Sequence, residues 1–160
     1  MLTEKAFGCV RLAASADEEE LVAMVRQMHD DKEWGLRDAH GSPFAFCEHK
    51  TRATVQRATQ RGRNEPDAGR AWIGVIGQPG ALEGSVYLAR QPLLLSDGEV
   101  LAVSWHWVQP QFRGSETSNM LVGFAMGLAE MLELTLTAAS IARSRSPQGR
   151  LYERVIGKPA

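Results

Sequence analysis

The sequence predicts an α/β (α+β) domain with a mixed central sheet flanked by helices, and three observations carry that prediction. Residues Glu99–Val108 include Val100, Leu101, Val103, Trp105, Trp107 and Val108, a run of β-branched, aliphatic and aromatic side chains suited to a strand. Leu121, Phe124, Ala125, Leu128, Met131 and Leu132 then recur on one helical face. Strand-like and helix-like segments are interspersed along the chain, as in a sheet packed against helices. With 160 residues, the chain reads as a single domain, 1–160, able to bury roughly two-thirds of the surface its unfolded form exposes.

The elements follow in order. Ala6–Leu12 reads as a short first strand. Ser15-Ala16-Asp17-Glu18 has the form of a capping box, a Ser oxygen for an early N–H and a Glu reaching back. Leu21, Val25 and Met28 give the helix behind it, Ala16–His29, an apolar stripe. Asp30–Phe46, polar and punctuated by Gly35, Gly41 and Pro43, reads as a loop. A second helix is expected over His49–Gln60, closed by Gly62. Strands Ala71–Ile76 and Leu82–Ala89 flank Gly77-Gln78-Pro79-Gly80, residues that supply the unusual dihedrals of a hairpin turn. After the Glu99–Val108 strand and the next helix, Leu132, Leu134 and Leu136 alternate with Glu133, Thr135 and Thr137. That alternation predicts a strand over Leu134–Ile141, followed by a short helical tail.

Composition excludes several function classes. Lys plus Arg is 18 against 19 for Asp plus Glu, a net charge of −1, so the electrostatic footprint of a dedicated nucleic-acid binder is missing. Lys50–Arg70 carries six basic and two acidic residues; it reads as a solvated face, with a surface for an anionic ligand as the alternative. Cys9 and Cys47 give neither a disulfide framework nor a metal box, and both are expected as buried small hydrophobes. The longest apolar run, Met120–Ala129, is too short to span a bilayer, and the first residues lack a signal-peptide core. A soluble, cytoplasmic protein without membrane attachment is expected.

Chemistry concentrates in Trp107-Val108-Gln109-Pro110-Gln111-Phe112-Arg113-Gly114-Ser115-Glu116-Thr117-Ser118. A strand ends at Val108, a Pro-containing turn follows, and a Gly-Ser loop opens into a helix. Helix starts present unpaired N–H groups and a positive dipole end, a natural place for an anion. Arg113 stands beside it, placed to add charge-assisted bonds to a phosphate. An ordinary strand-to-helix turn with Ser115 as N-cap is the alternative. His106, on the strand, has the titration range of a general base, although a histidine between two tryptophans also fits a structural role.

The run Val108-x-Pro110-x-Phe112-Arg113-Gly114 before a helix resembles motif A of the GNAT superfamily of N-acetyltransferases. Leu151-Tyr152-Glu153-Arg154-Val155-Ile156-Gly157 is similar to that family's late Leu-Tyr-Glu segment, with one extra residue before the Gly. The likeness extends from about Phe7 to Gly157. The compact size, Met28-His29 and the Arg113-Gly114 loop resemble small acetyltransferase-like proteins of tailed bacteriophages. The resemblance implies acetyl-CoA as substrate, with the acetyl group passing to an amine. Its pantetheine arm would lie between the fourth and fifth strands, against backbone of Trp107 and Val108. Arg113, Gly114, Ser115, Thr117 and Ser118 would hold the pyrophosphate. Tyr152 would protonate the leaving thiolate, a task suited to a phenol that stays protonated at neutral pH. His106 is the implied base, with Glu99 and Glu83 behind it.

The chain departs from this pattern twice. Glu116 and Ser118 occupy positions where the family has Gly and Gly/Ala. Either Glu116 points outward from the helix start, or its charge opposes CoA. Only eight residues follow Tyr152, too few for the family's closing strands, so the sheet's C-terminal half is expected to lack its last strand or strands. The uncharged Leu134–Ile141 edge would then be bare, which predicts that a second copy or a larger assembly covers it. A non-catalytic role in a phage particle is the alternative function. The basic tail residues Arg143, Arg145, Arg150, Arg154 and Lys158 read as solvated, with contact to a CoA phosphate as the other reading.

Overall fold

The computed structural model describes residues 9–35, 37–60, 70–138 and 147–156. Among them, five strands form one sheet in the order β1 (Arg11–Leu12), β2 (Ala71–Ile76), β3 (Gly84–Pro92), β4 (Glu99–Val108) and β5 (Thr135–Thr137). Neighbours are antiparallel from β1 to β4, and β5 joins β4 in parallel. The helices are α1 (Glu18–Asp30), α2 (Glu48–Thr59), α3 (Thr117–Leu132) and α4 (Pro147–Ile156). The expected mixed sheet flanked by helices is therefore present, and no strand follows β5 among the described residues.

Five of the six β2 residues are buried, so side chains on both faces of that strand are covered. Phe124 of α3 lies so close to Gly74 that a Cβ there would meet its ring at 2.8 Å. Glycine at this position lets α3 settle onto the sheet. The α1–α2 pair packs together and against β4 and β2. Glu20 of α1 ties it to the β2–β3 hairpin by accepting the N–H groups of Gly80 and Leu82 at 2.9 and 3.0 Å. The turn itself uses Gly77 and Gly80 at φ +106° and +89°.

Several expectations shift. The first strand is two residues long within the described part, and its start at Ala6 lies outside it. The capping box sits one residue earlier than Ser15 and caps a 3-10 turn, Ser15–Asp17, that leads into α1: Asp17 accepts the Ala14 N–H at 2.8 Å and pairs with Arg11 through both carboxylate oxygens. A buried carboxylate needs such partners, and Asp17 is fully buried. Met131 is exposed, while Val122 and Ala129 join the α3 core face. Cys9 and Cys47, expected to be buried, are both exposed: Cys9 lies in a turn before β1 and Cys47 at the N-cap of α2, so neither belongs to an inward stripe. The β5 strand spans three residues; the remainder of Leu134–Ile141, from Ala139, lies outside the described residues. Among the described residues no helix is long and apolar enough to cross a membrane.

Candidate functional site

A bulge in β4 opens the site. Trp105 pairs with Tyr87 and Val103 with Leu88, which leaves Ser104 as an extra residue. Bulges sharpen local twist, and the parallel pairing of β4 with β5 ends just before this one, at Ala102 with Thr137. Beyond it the two strands share no further pairing among the described residues.

The phase of the ladder decides which backbone groups face the gap. Gln109 donates its N–H to Glu83 O at 2.8 Å, so the odd residues Trp105 and Trp107 bond toward β3. His106 and Val108 turn their backbone groups the other way. Of the two residues expected to offer backbone to a ligand, Val108 faces the gap and Trp107 faces β3, and both are buried. The Val108 carbonyl is already engaged by Arg113 Nε at 3.0 Å.

The Arg113 guanidinium is bound to the protein on every side described. Its carbon lies 4.4 Å from the centroid of Trp34 and 4.6 Å from that of Trp107, and it pairs with Asp31 at 3.2 Å. Burial alone would raise the Asp31 pKa, but the N–H groups of Trp34 and Glu33, together with Arg113, hold it below the usual carboxylate value. Arg113 thus works as a bracket between the α1–α2 loop and the end of β4.

Beside this bracket lies an open cleft of about 820 Å³. One wall is the loop and first turn of α3, with Gly114, Ser115, Ser118 and Asn119; the other is α4, with Arg150, Leu151 and Arg154. Glu33 and Trp34 close one end. Gly114 takes φ +83°, and a Cβ there would meet nothing within 4 Å, so the loop approaches the cleft as bare backbone. Ser115 does not sit at the N-cap position, which is Glu116; its Oγ accepts the Thr117 N–H from one residue earlier, at 3.4 Å. Thr117, expected to hold phosphate, is buried, gives its N–H to Ser115 Oγ and does not line the cleft. Glu116 is exposed and does not line the cleft.

His106 and Tyr152 come together beneath the cleft floor, although 46 positions separate them: Tyr152 Oη lies 2.9 Å from His106 Nδ1. Both side chains are fully buried. Burial pushes the imidazole pKa down to about 3 and the phenol upward, so both are neutral at physiological pH. An imidazole this hard to protonate is poorly suited to the role of base. Glu99 begins β4 at the end away from the cleft and pairs with Arg70 and Arg90. Glu83 precedes β3 and does not line the cleft. Arg143, Arg145, Lys158 and Gly157 lie outside the described residues.

Trp34 was not legible as a site residue. It fills the space beside β4, edge-on to Trp107 at 5.8 Å, and its carbonyl accepts from Gln148 Nε2 at 3.0 Å. Two buried polar atoms around it, Trp107 Nε1 and Gln148 Oε1, have no hydrogen-bond partner among the described residues.

No family model and no curated protein sequence matches the chain. Solved structures do. A ribosomal-protein-alanine N-acetyltransferase from Brucella melitensis biovar Abortus 2308 is 16% identical, with 94% of this chain and 90% of that one covered and a TM-score of 0.66. A predicted acetyltransferase with acetyl-CoA from Clostridium acetobutylicum is 12% identical over 94% and 89%, with a TM-score of 0.68. A GNAT family acetyltransferase from Staphylococcus aureus is 14% identical over 81% and 84%, with a TM-score of 0.52. The fold is that of the GNAT acetyltransferases. In this GNAT fold the cleft lies where the sequence places the motif-A-like loop, at the start of α3.

Proposed function

We propose that the protein binds acetyl-CoA in the α3 cleft and transfers its acetyl group to an amine. The observation that carries this reading is the cleft itself. A bare-backbone loop at Gly114, the start of a 16-residue helix, two serines and three arginines, Arg113, Arg150 and Arg154, line one open space and outnumber its two carboxylates, Glu33 and Glu153. The arginines and the loop favour a phosphate-rich ligand, and helix-start amides favour anions without help from side chains. The neighbour from Clostridium acetobutylicum holds acetyl-CoA on the same fold.

Arg113 is assigned to the bracket, and Arg150 and Arg154 take the phosphate-facing role. In the reaction the amine nitrogen bonds to the thioester carbonyl carbon and the C–S bond breaks. The nitrogen loses a proton and the thiolate gains one. Tyr152, the proton source that the resemblance implied, is fully buried, bonded to His106 and outside the cleft lining, so solvent in the open cleft supplies that proton. The phage-particle role draws no support from the fold or the comparisons.

Calorimetric titration with acetyl-CoA tests the proposal. Saturable binding that Arg150→Ala together with Arg154→Ala weakens is expected; no heat at millimolar ligand would overturn it. Pairing of the β5 edge with a second copy is a separate part of this reading, and a monomeric mass in solution would remove it.

A further inference from the structure

The cleft and the buried core meet at one side chain. Ser118 lines the cleft, and its Oγ also lies 3.4 Å from His106 Nε2, at the long end of hydrogen bonding. Behind the imidazole, Nδ1 contacts the Tyr152 hydroxyl at 2.9 Å. Strand β4, helix α3 and helix α4 each contribute one member of this chain of three. Trp34 and Tyr152 flank the ring at centroid distances of 6.1 and 5.3 Å and keep water from it.

The proton positions follow by elimination. Among the described residues, the buried Tyr152 hydroxyl has one hydrogen-bond partner, His106 Nδ1. A buried O–H that donates to nothing carries a desolvation penalty, so the phenol donates and Nδ1 accepts. Burial keeps the imidazole neutral, so its single proton resides on Nε2. Nε2–H then faces Ser118 Oγ, which accepts it, and the serine's own proton is left for the cleft. With the opposite tautomer, Ser118 would donate to Nε2 and turn its lone pairs toward the cleft, where they would repel an anion.

We propose that Tyr152 and His106 are positioning residues that fix Ser118 as a one-way hydrogen-bond donor toward an anionic oxygen in the cleft. That oxygen belongs to the diphosphate of CoA, so this part of the inference rests on the CoA reading.

Two measurements on the full chain test it. In ¹⁵N NMR of the free protein, His106 is expected as the Nε2–H tautomer with Nδ1 in the acceptor range, and Tyr152→Phe is expected to disturb that signature. An Nδ1–H tautomer in the unmodified protein would overturn the proposal whether or not CoA binds. Calorimetry with CoA then compares Ser118→Ala, Tyr152→Phe and the double variant, each shown by thermal unfolding to be folded. Loss of one hydrogen bond to a charged group predicts roughly 10-fold weaker binding for Ser118→Ala. Tyr152→Phe should lose a smaller factor and add nothing in the Ser118→Ala background. A Tyr152→Phe loss of equal size in both backgrounds would overturn the proposal, because Tyr152 would then act without Ser118. If the unmodified protein takes up no CoA, the CoA reading fails, and the imidazole spectrum still decides the chain.

Discussion

Replacing Arg113 by Ala should cost folding stability before it costs anything else. The guanidinium makes two cation–π contacts, at 4.4 and 4.6 Å, donates to the Val108 carbonyl at 3.0 Å and pairs with Asp31 at 3.2 Å. Partly desolvated cation–π contacts contribute about 1 kcal/mol each, and a hydrogen bond from a charged donor about 1.5 kcal/mol or more. The Arg113 side chain is 23% exposed, so water reaches some of the vacated partners and lowers the loss. A net destabilisation of about 2–3 kcal/mol follows, which for a domain of this size lowers Tm by roughly 5–10 °C. Arg113→Lys keeps the charge but loses the planar fork that serves Val108 and both rings, and should fall between the two. Denaturant unfolding followed by circular dichroism measures each value. Were Arg113→Ala within about 0.5 kcal/mol of the unmodified protein, the bracket would be wrong. An accompanying large loss of CoA affinity would return Arg113 to the phosphate.

Three further predictions follow from neighbouring groups. Gly114→Ala should destabilise by about 1–2 kcal/mol from the left-handed backbone alone, since a Cβ at φ +83° meets no neighbour within 4 Å; Gly114→Val should in addition weaken CoA binding roughly 10-fold or more by crowding the loop, and unchanged calorimetric affinity would refute this. Glu116→Gln should change CoA affinity by less than about 3-fold at physiological salt, because the carboxylate is exposed, outside the cleft lining and screened; a larger gain would mean that Glu116 faces the phosphate. The Asp17 pKa is lowered: burial by itself raises it, but the Arg11 hydrogen bonds, the Ala14 N–H and the Arg11 charge outweigh that. A depressed folded-state value contributes stability above the unfolded carboxyl pKa of about 4 and loses it as pH falls through the folded value, so Asp17→Asn should flatten the acid limb of a stability–pH curve below about pH 4.

The parts of this protein that were legible from sequence are those fixed by local chemistry. The β4 limits, Glu99–Val108, follow from uninterrupted strand-forming side chains, and the β2–β3 turn from glycines whose positive φ the turn needs. The start of α3 was visible as a Gly-Ser loop before an apolar helix. Long-range pairing was not. Nothing near His106 points to Tyr152, 46 residues away, because a strand residue and a tail-helix residue meet only through packing. Trp34 stands alone in a polar loop with no periodicity to mark its direction. Its one local signal was Asp31, whose carboxylate accepts the Glu33 and Trp34 N–H groups and turns the chain inward. Arg113 was expected to reach outward because its spacing from the helix start suits a phosphate. Two tryptophans and Asp31, none adjacent to it in sequence except through the fold, draw it inward instead.

The most direct test of the central claim is a ¹H–¹⁵N amide map of the protein titrated with acetyl-CoA. The account predicts saturable shifts concentrated on Gly114–Asn119, on Trp34 and its indole N–H, and on Arg150 and Arg154, with the distant Leu93–Asp97 loop unmoved. No shifts at millimolar ligand, or shifts confined to residues away from the α3 start, would contradict it.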